Sequence, residues 1–217
     1  IFPASHYVVP QEKINRACDE IEKELHRGEK KDYFYAKGLK PATKESVYKQ
    51  SKAYVEELNG FILELEWDIV DIRDFQYKKL EMKEEKIAEF FYEKFADTPI
   101  FMRMQRIAEY LIDQQETLSG KTMPEEEQQN VFEKINRMYE TRDLLTIYNR
   151  FLKQSGRKGM NTADHILRYE DVYPMLYLKY CCFGLPARRP VRHLVIDEMQ
   201  DYSYLQYVIL NQIFKCR

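Results

Sequence analysis

Residues 191–203 read Val-Arg-His-Leu-Val-Ile-Asp-Glu-Met-Gln-Asp-Tyr-Ser. The apolar run Leu194, Val195, Ile196 predicts a short buried strand. It stops abruptly at two adjacent carboxylates, Asp197 and Glu198. In open α/β sheets, ligands gather at the carboxyl ends of strands. A carboxylate there can hold Mg²⁺, which bridges and neutralises the β- and γ-phosphates of a nucleotide. A second one beside it can orient or deprotonate an attacking water. A bare Asp-Glu pair is more simply an acidic turn after a strand. Gln200 and Asp201 shift the balance.

Asp197-Glu198-Met199-Gln200-Asp201 after an apolar strand resembles the second motif (Walker B) of UvrD/Rep-type superfamily 1 helicases. The continuation Tyr202-Ser203-x-x-Gln206 is most similar to the HelD-like branch. Upstream, Arg168-Tyr169-Glu170-Asp171-Val172, followed by Met175, Leu176 and Leu178, resembles the aromatic-acidic-Asp segment before that motif. The resemblance covers about residues 165–215. It implies that Asp197 holds Mg²⁺ of Mg-ATP and that Glu198 is the catalytic base for ATP hydrolysis. It implies that Gln200 couples the nucleotide state to a neighbouring motor domain, completing an ATP-binding set of Asp197, Glu198 and Gln200. Asp201 organises the loop. The chain carries no Gly-rich phosphate loop and none of the later motifs, so it reads as a fragment, inactive alone, of an ATP-dependent DNA helicase.

Ser119-Gly120-Lys121-Thr122 imitates the missing loop. A phosphate loop needs Gly-x-x-x-x-Gly-Lys-Ser/Thr between a strand and a helix. Gln115 stands where the first glycine belongs, and Ile107 to Leu118 read as a helix. The segment is therefore expected to be an interhelical turn.

The chain has 34 basic and 36 acidic residues, a net charge of -2, which argues against a dedicated nucleic-acid-binding domain. Its 7 glycines argue against an all-β protein, and its 17 tyrosines suffice for several packed helices. No apolar run approaches the ~20 residues that span a bilayer, and no signal-peptide pattern opens the chain; a cytoplasmic protein without a membrane partner is expected. Cys18, Cys181, Cys182 and Cys216 show no metal-binding spacing and read as reduced thiols. The four histidines, His6, His26, His165 and His193, are scattered and carry no catalytic signature.

Apolar periodicity predicts helices over 11–27, 44–65, 83–95, about 99–118, 124–139 and 141–152 (or these two as one bent helix), 164–182, interrupted or kinked at Pro174, and a final helix from Ser203. Thr98 with Pro99 is expected to start one of them and Thr141 to cap another. Residues 68–82 alternate and predict a strand or hairpin, and 29–42 read as irregular. The fold class expected is mainly α: a helical insertion domain, residues 1–162, followed by an incomplete piece of an α/β RecA-like motor domain, residues 163–217. In UvrD-type enzymes a helical insertion, subdomain 1B, occupies that place, and the resemblance implies contact with DNA or, in HelD-like proteins, with RNA polymerase. Two basic clusters suit phosphate contact: Arg150, Lys153, Arg157, Lys158, and Arg188, Arg189, Arg192. Lacking sheet neighbours in the chain, strand 191–197 is expected to leave helicase geometry, to pair with a short segment such as 6–9, or to join across a dimer.

Overall fold

The computed structural model describes residues 7–8, 34–35, 44–160, 166–167, 169–185, 194–196 and 202–214. The helix expected over 11–27 lies outside them. The described residues are mostly helical, as the apolar periodicity requires. Their strands form three pairs: β1 (Tyr7–Val8) with β6 (Leu194–Val195), β2 (Phe34–Tyr35) with β5 (Ile166–Leu167), and β3 (Phe75–Tyr77) with β4 (Leu80–Met82). The first two are parallel and the third is an antiparallel hairpin. Strand β6 thus takes its partner from segment 6–9, in the register Tyr7 to Leu194 and Val8 to Val195. Among the described residues no sheet exceeds two strands.

Packing divides the chain into two units whose limits differ from the sequence division at 162/163. One comprises residues 1–61, 143–180 and 185–217; the other comprises 62–142 and 181–184. Side-chain interactions between positions far apart in sequence explain the difference, because segments on both sides of residue 162 share one core.

The first unit holds α1 (Lys44–Tyr48), the first part of α2 (Lys52–Asp68), α6 (Leu144–Gln154), most of α7 (Tyr169–Phe183) and α8 (Tyr204–Ile213). The single helix expected over 44–65 is two helices, broken at 49–51. Ser51 makes the break: its N–H bonds the Tyr48 carbonyl at 2.9 Å, and its Oγ accepts the Tyr54 N–H at 3.3 Å. Helix α6 starts at Asp143 rather than Thr141. The Asp143 carboxylate accepts the Thr146 N–H at 2.7 Å, which satisfies a donor that the first helical turn leaves open. Helix α7 begins later than expected, since Ile166 and Leu167 are taken by β5, and it continues through Pro174. Segment 29–42, expected to be irregular, contributes β2. Buried Tyr54, Leu58, Phe61, Tyr148, Phe151 and Leu176 form the core. Phe151 sits at its centre, with ring centroids 5.5 Å from Tyr54 and 5.3 Å from Phe61.

The second unit contains the hairpin, α3 (Glu84–Glu89), a π-helical turn (Phe90–Lys94), α4 (Ile100–Ser119) and α5 (Glu125–Asn136). In α4 Ile100, Met104, Ile107, Leu111 and Ile112 recur at helical spacing and are buried against α5, which contributes Val131 and Ile135. Thr98 does not cap α4: Pro99 is the N-cap, without a side-chain bond. Lys78 takes φ 53 at the hairpin turn.

Arg103 organises the approach to α4. It is 4% exposed. Its Nε donates to the Thr98 carbonyl at 2.8 Å and one terminal nitrogen to the Ala96 carbonyl at 2.8 Å. The other terminal nitrogen meets Glu66 at 2.7 Å and the Phe91 carbonyl at 3.1 Å. One planar guanidinium thereby satisfies three carbonyls left open around the π turn, while stacking over Phe91. Arg103→Met is expected to lower unfolding stability by about 3–5 kcal/mol, because Glu66 and those carbonyls lose their donor together. Urea denaturation checks this; a loss under 1 kcal/mol, about the value of one exposed pair, would contradict it.

Candidate functional site

The acidic motif is framed on both sides. Strand β6 runs parallel to β1, and half-buried Ile196 follows it. Asp197, Glu198, Gln200 and Asp201 lie outside the described residues, as do Arg188, Arg189 and Arg192. The chain is described again at Tyr202, just before α8. Ser203 caps that helix in a reciprocal box: its Oγ accepts the Gln206 N–H at 3.3 Å, and its own N–H donates to Gln206 Oε1 at 2.6 Å. Ser203 and Gln206, which carry the resemblance beyond the motif, therefore act locally to define where the helix begins. Leu205, Ile209 and Leu210 hold its inner face in place. In the chain, strand β6 and capped helix α8 thus flank the acidic sequence Asp197–Asp201.

The upstream segment has its own geometry. Asp171 is fully buried. Its Oδ1 accepts from Lys49 Nζ at 2.6 Å and from the Tyr148 hydroxyl at 2.6 Å. The Tyr148 hydroxyl lies 2.9 Å from that of Tyr54. Lys49 is 1% exposed and also meets Glu45 at 3.1 Å. Burial, then the Asp171 charge, pushes the Tyr148 phenol well above the ordinary tyrosine range. Burial raises Tyr54 likewise. Both phenols stay protonated, so Tyr148 donates to the carboxylate. Asp171 Oδ2 is buried without a partner among the described residues. Such a network, closed to water, positions elements rather than turning over a substrate.

Arg157 closes the outer edge of this cluster. Its two terminal nitrogens bond the Glu57 carboxylate at 2.8 Å each, and it lies over the rings of Tyr48 and Tyr54 at 5.1 and 5.2 Å. The hydrogen bonds to Glu57 are the largest cause that raises its already high pKa. Of the described basic cluster, Arg157 is thus engaged within the fold and Arg150 is half-buried, while Lys153 and Lys158 are exposed. Gly120-Lys121-Thr122 is the expected interhelical turn: Gly120 takes φ 64 as the C-cap of α4, and Lys121 and Thr122 are exposed. Cys181 is half-buried, and burial pushes the Cys182 thiol up. Among the described residues no three His, Cys, Asp or Glu side chains cluster to hold a metal. Also among them, no helix is long and apolar enough to cross a membrane.

Sequence reasoning singled out Asp171 but not Lys49, Tyr54 or Tyr148. Lys49 lies 122 positions away and Tyr148 lies 23. A lysine and two tyrosines on helical patterns carry no local mark of their pairing.

Comparison with known proteins gives one short similarity. The chain is 84% identical over 25 residues to UvrABC system protein B of Agathobacter rectalis. That stretch is 12% of this chain and 4% of that protein, so the chain spans a small fraction of the relative's length. No protein-family profile matches the chain. No solved structure matches it.

Asp171→Ala, which leaves buried Lys49 with Glu45 at 3.1 Å as its remaining carboxylate, is expected to destabilise the chain by about 3–5 kcal/mol. The apolar double replacement Lys49→Met with Asp171→Leu should recover most of that loss, since removing both charges removes both desolvation costs. Urea unfolding of Lys49→Met, Asp171→Leu and the double variant measures the coupling; additive losses would show that the pair does not act as a unit.

Proposed function

We propose that this chain belongs to an ATP-dependent DNA-acting motor of the UvrD-type helicase or translocase kind, with Asp197 and Glu198 serving Mg-ATP hydrolysis. One observation carries this reading. A strand in parallel pairing ends at Val195, a capped helix opens at Tyr204, and the Asp-Glu-x-Gln-Asp sequence stands between them in the chain. The carboxyl end of a parallel strand is where α/β nucleotide enzymes gather their ligands. The short stretch shared with UvrABC system protein B supports a DNA-repair relationship.

Two adjacent carboxylates after a strand suit a hard divalent cation, which prefers oxygen ligands. Bound Mg²⁺ would neutralise the phosphate oxygens as charge moves onto the leaving group. Asp197 holds the cation in this proposal. Glu198 takes a proton from the attacking water, and Gln200 senses the nucleotide state. DNA is the partner of the motor, with Lys153, Lys158, Arg150, Arg188 and Arg189 as its phosphate contacts. Arg157 contributes less, because Glu57 already neutralises it.

The chain has no phosphate loop of the form Gly-x-x-x-x-Gly-Lys-Ser/Thr, so alone it is expected to release no phosphate from Mg-ATP. In a protein that joins it to such a loop, Glu198→Gln should slow hydrolysis by about 10²–10⁴-fold while leaving nucleotide binding intact. Asp197→Ala should weaken Mg-ATP binding as well. Steady-state turnover and nucleotide titration, with forked DNA and core RNA polymerase compared as stimulators, separate these outcomes. Near-normal turnover in Glu198→Gln would remove that residue from its role. Stimulation by the polymerase alone would replace DNA as the partner.

A further inference from the structure

The π-helical turn has a consequence at the surface of the second unit. The Phe95 N–H bonds the Phe90 carbonyl at 2.8 Å, the five-residue step of a π-helix. The wider turn buries consecutive Phe90 and Phe91 and carries Tyr92 outward. Tyr92 stacks on Trp67, with centroids 4.5 Å apart and planes 13° apart. Trp67 is 65% exposed, and Leu63, one turn before it on α2, is 66% exposed. Burying large apolar side chains is favourable by about 1.5–3 kcal/mol each, so this stacked, water-facing pair is a costly surface for a folded domain.

Beside it runs an open groove lined by Val70, Ile72, Glu84, Glu85, Ala88 and Tyr92. Glu85, Ala88 and Tyr92 follow one another at helical spacing, so they form one wall along α3 and the π turn. Val70 and Ile72 face them. Val70 is held by its bridge to Tyr139, and Asp71 by its N–H bond to the Met138 carbonyl at 2.7 Å. No basic residue lines the groove. Glu84 and Glu85 are exposed, and Glu85 also acts through space on Lys83. Nearby cations are engaged elsewhere, Lys83 with Asp74 at 2.6 Å and Lys86 with Glu89 at 2.7 Å.

We infer that this groove docks a basic, apolar segment of a partner protein in extended form. From Glu85 to Tyr92 the wall is about 10 Å long, from the helical rise of 1.5 Å per residue, which matches about three extended residues at 3.3 Å each. An arginine or lysine at one end meets Glu84 and Glu85. An aliphatic side chain fills the space against Val70, Ile72 and Ala88. At the other end the stacked pair Trp67–Tyr92 receives an apolar side chain or a guanidinium, which stacks on aromatic faces. Aromatic platforms also stack nucleobases, but single-strand sites pair them with a positive groove for the backbone. Here the two carboxylates repel phosphate. This inference does not depend on the ATPase reading.

Trp67 is the chain's one tryptophan, and its stacking on the lining residue Tyr92 makes its fluorescence a reporter of the groove. The 217-residue chain is titrated with an alternating arginine–leucine hexapeptide, its glutamate–leucine counterpart and a short oligothymidylate, with tryptophan fluorescence as the signal. A saturable change is expected with the basic peptide and not with the other two. Glu84→Lys with Glu85→Lys, at exposed positions where folding is retained and checked by circular dichroism, should weaken the basic peptide about tenfold or more. Trp67→Ala, followed by calorimetry, should abolish the binding. The inference is overturned by the absence of saturable binding, by an affinity indifferent to the charge reversal, or by equal binding of oligothymidylate. A fluorescence change that tracks protein concentration alone would overturn it too, by assigning the groove to a second copy.

Discussion

Asp171 and Lys49 stand 122 positions apart in the chain and meet at 2.6 Å with almost no solvent around either. Taking each charge out of water costs several kcal/mol, and only close pairing with further hydrogen bonds offsets that. The phenol of Tyr148 supplies one such bond, and Tyr54 holds that phenol in turn. A buried carboxylate tolerates few alternative packings, because any that separates it from the ammonium strips it of its charged partner and leaves Lys49 with Glu45 alone. The pair therefore selects one arrangement of α1, α2, α6 and α7 among the many that apolar contacts alone would accept. Arg157 extends the selection to the edge of the core by pairing with Glu57 over three aromatic rings.

The second unit uses the same device with different atoms. Its π turn and the loop after it leave carbonyls pointing inward, away from helical partners. Arg103 answers three of them and Glu66 with one rigid group, which a lysine's single point charge could not do. Around it Lys94 lies over Phe90 and Tyr110 at 4.1 and 4.4 Å, so the outer side of the π turn is covered by a cation above aromatic faces. Within that frame Tyr92 is directed to Trp67. A local irregularity of the helix is thus what produces an exposed aromatic platform.

The two functional readings draw on opposite electrostatics. The proposed motor chemistry asks for carboxylates at a strand end, where they serve a bound cation, and for exposed lysines near DNA. The groove instead presents exposed carboxylates beside aromatic rings, which suits a cationic protein segment and opposes a phosphate backbone. A chain with net charge of only -2 can hold both, because charge acts locally once salt screens it beyond about 10 Å.

The sequence by itself determined the predominance of helices, a strand or hairpin within 68–82 (the hairpin 75–82), the turn at Gly120, the strand before Asp197 and the helix opening at Ser203. Each is written in short-range terms: apolar spacing, alternation, a glycine able to adopt positive φ, or a Ser–Gln capping pair. It also offered segment 6–9 as one of three outcomes for that strand, on the argument that an apolar strand does not stay unpaired, and the structure takes that one. Helix starts at Thr98 and Thr141 were misread because side-chain capping chemistry is shared by neighbouring residues, and packing chose Pro99 and Asp143. The acidic motif itself was legible only as a pattern, and its side chains lie outside the described residues. Only the tertiary structure decided that Asp171 is a buried partner of Lys49, that Arg157 belongs to the fold, and that Trp67 and Tyr92 stack at the surface. Those facts depend on residues brought together from far along the chain, and no local pattern of residue types encodes which charge meets which.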